Sequence, residues 1–123
     1  MKWLYLALGS VVGGFSRYLL AGTICKKWGT TFPLGTLLVN LSGCFLIGIF
    51  SAIADEKFPL GANGRLLLMT GFCGAYTTFS TFTLETSNLV RNQEMLSGLL
   101  NIILSVSLGF MLFRLGNLVG RTL

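Results

Sequence analysis

The side chains able to handle an ion in this 123-residue chain lie inside its apolar stretches. Thr36, Asn40 and Gly43 recur at i, i+4 and i+7, so a hydroxyl, a carboxamide and a gap share one narrow helical stripe. Asn40 has two readings: its amide ties helices together by hydrogen bonds, or it turns its NH₂ donors toward a passing anion. Asn101 and Ser105, one turn apart in the last stretch, act likewise as donors or as interhelical glue. Phe79 and Phe82 share a face at i, i+3, each ring following a hydroxyl residue in Thr-Phe-Ser-Thr-Phe. Phenylalanine in a membrane helix commonly faces lipid or packs. The electropositive edge of a ring also suits an anion that a charged residue would hold too tightly to release.

The elements that must position these groups are four apolar blocks, residues 3–23, 33–54, 66–90 and 96–119. Each holds about the 20 residues that a helix needs to cross a roughly 30 Å hydrocarbon core. With 53% hydrophobic residues, 11% charged residues and a mean hydropathy of +0.77, the chain reads as an all-α membrane protein of four transmembrane helices. It forms one four-helix domain over 1–123, and the turns at 26–31, 55–64 and 91–94 are too short to hold another. The first block contains Arg17 and precedes three more spans, so it reads as a mature helix and not as a signal peptide. Pro33 suits the first turn of the second helix, where its missing N–H costs nothing. Residues 71–82, Gly-Phe-Cys-Gly-Ala-Tyr-Thr-Thr-Phe-Ser-Thr-Phe, put glycines and hydroxyls in the middle of the third block. A helix broken there survives in lipid only where its freed N–H and C=O groups meet protein, water or an ion, which points to a pore or binding site.

Several classes fall away on composition. The chain has no histidine, no phosphate-binding glycine loop and no nucleophile with a paired base, so an enzyme is unsupported. Cys25, Cys44 and Cys73 are an odd number without metal-like spacing and read as small packing residues. The net charge of +5 is scattered over loops and helix ends, which suits acidic lipid head groups better than nucleic acid. Lys2, Lys57, Arg65 and Arg121 fall on one face of the membrane and Lys26, Lys27 and Arg91 on the other. An excess of four over three barely biases insertion, so copies are expected in both orientations, free to pair as an antiparallel homodimer. Gly9, Gly13, Gly14, Gly35, Gly43 and Gly48 offer close-packing faces, for that interface or for packing within the chain.

Three motifs in order resemble the Fluc/CrcB fluoride-channel family: Gly13-Gly14-Phe15-Ser16-Arg17-Tyr18, Gly35-Thr36-Leu37-Leu38-Val39-Asn40, and residues 71–82. The resemblance covers the chain end to end. It implies a dual-topology dimer with two antiparallel fluoride pores, passive export that lowers cytoplasmic fluoride, and a structural sodium ion at the dimer centre. It assigns the phenylalanine box to Phe79 and Phe82, the pore asparagine to Asn40, and the sodium-binding carbonyls to Gly74 and Thr77. Ser80 and Thr81 join the polar track beside the rings. Ser105 matches the track's serine on the last helix, while Gly109 stands where a second hydroxyl occurs.

The physics of such a pore is coherent with these residues. Fluoride is small and strongly hydrated, so its water must be replaced by several weak donors without a fixed cation to trap it, and no Lys or Arg occurs in 33–54 or 66–90. Glu85 either edges an aqueous vestibule or is an interfacial carboxylate. Arg17 either sets the vestibule's potential or snorkels to the head groups. The competing class is a small dual-topology multidrug exporter, which would want a carboxylate deep in the first helix, and residues 3–23 hold no Asp or Glu. A structural subunit without transport leaves the polar break unexplained. Either way the chain belongs in an inner or plasma membrane as a multi-pass protein.

Overall fold

The computed structural model describes residues 1–29, 31–57 and 60–123, without the side chains of Glu56 and Lys57. Thr30 and the Phe58–Pro59 pair of the expected turns lie outside the described residues, as does the Lys57 side chain in the charge count. Among the described residues every regular element is helical. The first helix, α1, spans Lys2–Lys27 and closes on Lys26 and Lys27, cations placed where the helix dipole favours them. Next, α2 spans Leu34–Ala52, with Pro33 at its N-cap rather than in the first turn, and runs into a wider π-helical turn at Ile53–Lys57.

The third apolar block is assembled from pieces. A short α3 (Ala62–Arg65) continues as a π-helical segment, Leu66–Cys73, and then as one turn, α4 (Gly74–Tyr76). Thr77 (φ −89°, ψ 158°) and Thr78 (φ −150°, ψ 118°) are extended, and helix resumes as α5 (Phe79–Arg91). At about 1.5 Å per residue the 13 residues of α5 cover only about 20 Å. Among the described residues three single helices are therefore long and apolar enough to cross a membrane, over Lys2–Lys27, Leu34–Asp55 and Met95–Thr122, where four had been expected. The last of these contains α6 (Met95–Thr122). Between α5 and α6 the chain turns through Gln93 at φ 63°, with the Glu94 N–H bonding the Leu89 carbonyl and the Gln93 N–H that of Val90.

Glycine contacts decide the packing. A methyl at Gly48 would strike the Phe113 carbonyl and one at Gly116 the Phe45 carbonyl, so α2 and α6 pack backbone to backbone. Gly9 and Gly13 meet the Leu67 and Phe72 carbonyls in the same way, and Gly35 meets that of Ala21. These glycines serve packing within the chain, and of the six singled out only Gly14 faces open space. The exposed surface of α1 and α6 is apolar, including Leu8, Val12, Phe15, Ile103, Val106 and Phe110. At one end Arg65 pairs with Asp55 at 2.9 Å.

Candidate functional site

The backbone between α4 and α5 is held by side chains. Asn40 on α2 donates from Nδ2 to the Thr78 carbonyl (3.0 Å) and accepts the Thr78 N–H at Oδ1 (2.8 Å), matching the carboxamide to the peptide as a β-ladder partner would. Thr78 is also the N-cap of α5: its Oγ1 accepts the Thr81 N–H at 3.2 Å and donates to Thr81 Oγ1 at 3.0 Å. Two carbonyls lose their helical donors as a result. The Gly74 carbonyl would take the Thr78 N–H and the Thr77 carbonyl the Thr81 N–H, four residues on, and both N–H groups are committed to side-chain oxygens instead. The intervening Ala75 carbonyl accepts from Arg17 Nε at 3.2 Å. Tyr76, stacked on Phe72 at 5.4 Å, shares a 2.8 Å hydrogen bond with Ser42, so α2 grips the turn on both sides of Thr77.

Beside this junction lies a groove of about 290 Å³ whose lining includes Asn40, Thr77, Thr78, Phe79, Phe82 and Ser105, with Cys44 and Cys73 below them. The two rings stand 5.6 Å apart at 42°. Of the two amide N–H groups on Asn40, one is spent on Thr78. Ser105 Oγ is buried without a hydrogen-bond partner. No Lys, Arg, Asp or Glu is among the lining residues. The groove opens sideways: Phe79 is 79% exposed, and Gly74 beside the junction is exposed too.

A second cavity, about 520 Å³, lies across the junction and is lined by Arg17, Tyr18, Thr78, Thr81, Glu85 and Asn88 among others. Glu85 Oε1 is buried there without a hydrogen-bond partner. Thr81 thus faces the cavity that holds Arg17 and Glu85 rather than the one that holds the rings. Ser80 is exposed and lines neither, its Oγ 3.4 Å from Thr78 Oγ1. Gly109 is buried against α2, where an added methyl would sit 3.4 Å from Cys44 Sγ. Thr78 lines both spaces, a role the sequence reading did not give it. Its position three residues before Thr81, at the start of a helical run, was the available signal.

Residues 4–117 match the family described as CrcB-like protein, Camphor Resistance (CrcB). This chain belongs to the CrcB family. Relatives that align with nearly the whole chain carry a transport name. A Solibacter usitatus protein named fluoride-specific ion channel FluC is 43% identical over 98% of this chain and 99% of its own. Proteins of that name from Methylocella silvestris and a Hydrogenobaculum species are each 42% identical, over 97% and 100% of this chain and 92% and 100% of their own. CrcB relatives are thus named as channels and not as enzymes, in keeping with the lack of catalytic groupings in the sequence. Family membership and three membrane-length apolar helices make this a multi-pass membrane protein.

Proposed function

We propose that this CrcB-family protein is a fluoride-specific channel that lets fluoride leave the cell passively and so lowers its toxicity. One observation carries the reading: the groove combines the Asn40 amide, the Ser105 hydroxyl and the Phe79 and Phe82 rings with apolar and thiol side chains, and no fixed charge is among its lining residues. Such groups replace the water of a small anion piecemeal and release it again. The N-terminus of α5, whose dipole is positive, begins at the groove wall with Phe79 and adds a favourable potential without a trapping cation. Across Thr78 lies the cavity that holds Arg17, with Glu85, Glu94 and Thr81 on its wall, a polar vestibule at one end of the path. Asn40, Phe79, Phe82 and Ser105 then form the fluoride path, Thr81 continues it into the cavity across Thr78, and Ser80 joins it at the exposed face beside Thr78.

The finer architecture is part of the same proposal. A groove open along Phe79 needs another surface to become a pore, and a second copy inserted the opposite way supplies it, giving a dual-topology dimer with two antiparallel pathways. Near-balanced loop charges support insertion in both senses. The Gly74 and Thr77 carbonyls, deprived of their helical donors beside an exposed glycine, are hard oxygen ligands suited to sodium. A sodium ion held by these carbonyls would offset their dipoles and tie the segments on either side of the break together.

The decisive experiment is fluoride efflux from proteoliposomes holding the purified protein, read with a fluoride electrode and with chloride as control. Rapid fluoride release with little chloride release is expected. No release above protein-free liposomes would refute the reading, as would equal passage of both ions.

A further inference from the structure

We propose that Asn101 and Thr86 act as a register clamp that sets Phe82 opposite Ser105, making both of them positioning residues for the anion groove. This rests on the channel reading above. Asn101 Nδ2 donates to Thr86 Oγ1 at 2.9 Å, and Thr86 Oγ1 donates in turn to the Phe82 carbonyl at 2.8 Å. The chain of bonds therefore runs from α6 through one hydroxyl to the backbone that carries the ring. Asn101 is 2% exposed and Thr86 8%, so neither side chain has water to fall back on.

The geometry of two antiparallel helices turns this bond into a register device. Gly98 on α6 packs against Leu89 and Thr86 of α5, with an added methyl 3.7 Å from Leu89 Cβ. One turn further along α6, Asn101 bonds Thr86. One turn beyond that, Ser105 lines the same groove as Phe82, which lies one turn back along α5 from Thr86. A slip of one residue would move α6 by about 1.5 Å and rotate it about 100°, carrying the Ser105 hydroxyl off the groove. Apolar contact between α5 and α6 resists such a slip only weakly, because lipid solvates the same side chains equally well. A directional hydrogen bond between buried groups opposes it specifically.

Two measurements in a background with Cys25, Cys44 and Cys73 replaced by serine separate the clamp from the channel reading. The first is disulfide crosslinking of a Phe82→Cys, Ser105→Cys pair, read in native membranes so that it needs neither purification nor transport. Crosslinking should proceed readily with Thr86 and Asn101 intact or with Thr86→Ser, which keeps the hydroxyl, and at least tenfold more slowly with Thr86→Val or Asn101→Leu. The second is fluoride efflux per assembled channel with both phenylalanine and serine in place. Thr86→Val and Asn101→Leu should each slow it at least tenfold, the double variant no further, and Thr86→Ser should restore it. Unchanged crosslinking in the Val or Leu variant would overturn the clamp whether or not the protein transports fluoride. So would a lowered melting temperature with unchanged flux per assembled channel, the mark of a purely structural bond. Absence of fluoride efflux from the unsubstituted protein would sink the channel reading alone and leave the crosslinking to judge the clamp.

Discussion

Replacing Asn40 by aspartate is the sharpest perturbation of the proposed pathway, because it exchanges one heavy atom, the amide nitrogen for a charged oxygen, and changes almost no volume. In the native chain Nδ2 donates to the Thr78 carbonyl at 3.0 Å while Oδ1 accepts the Thr78 N–H at 2.8 Å. Aspartate keeps the second bond and strengthens it, since the acceptor now carries charge. It also puts an oxygen where the donor stood, facing a carbonyl oxygen, and sets a unit negative charge in the groove wall. At an effective dielectric of about 20, that charge raises the energy of an anion about 5 Å away by roughly 3 kcal/mol. With each 1.4 kcal/mol or so worth a factor of ten, fluoride passage should slow by about two orders of magnitude. Asn40→Ala separates this charge effect from the loss of the junction's support. It leaves the Thr78 N–H and C=O both without partners, at up to about 1–3 kcal/mol each, and so should lower the unfolding midpoint more than aspartate does. The assay is fluoride efflux from liposomes normalised to assembled protein, with size exclusion and thermal unfolding run in parallel. Native-like flux through well-assembled Asn40→Asp would show that no anion passes near this side chain.

Other outcomes follow from the same geometry. Phe79→Ile and Phe82→Ile keep bulk but remove the positive ring edge, and for each roughly 1.4 kcal/mol lost fluoride efflux should fall about tenfold while chloride stays at background. Gly116→Ala forces a methyl against the Phe45 backbone and should cost about 1–3 kcal/mol in unfolding experiments, whereas Gly14→Ala, with nothing within 4 Å, should leave the subunit's stability unchanged. Lys26→Cys in a chain otherwise free of cysteine should be labelled by an impermeant thiol reagent on roughly half the copies in intact cells, and labelling of all or none would refute dual insertion. Fluoride efflux should be indifferent to the direction of a sodium gradient, and a flux that required the gradient would contradict a structural ion at Gly74 and Thr77.

Some of this protein follows from its sequence alone. Partition into lipid depends on the run length of apolar residues, so the placement of the first, second and fourth blocks in membrane-length helices is a matter of composition, independent of what they pack against. The motif residues at 13–18, 35–40 and 71–82 likewise carry the family. Only the tertiary structure decided which partners the polar groups take. Asn40 and Thr78 stand 38 residues apart, and no local pattern distinguishes an amide that clamps a peptide from one that faces the lumen of a groove. The family resemblance put Thr81 beside the rings and the sequence left Glu85 at a vestibule or an interface, and neither assigned them to the cavity across Thr78, because that depends on where α1 brings Arg17. The glycines on α1 and α2 looked equally suited to a second subunit, until the Leu67, Phe72 and Phe113 carbonyls occupied the space beside them. Asn101 read as glue or donor with equal force, since a hydrogen bond belongs to two segments and a sequence pattern reports only one.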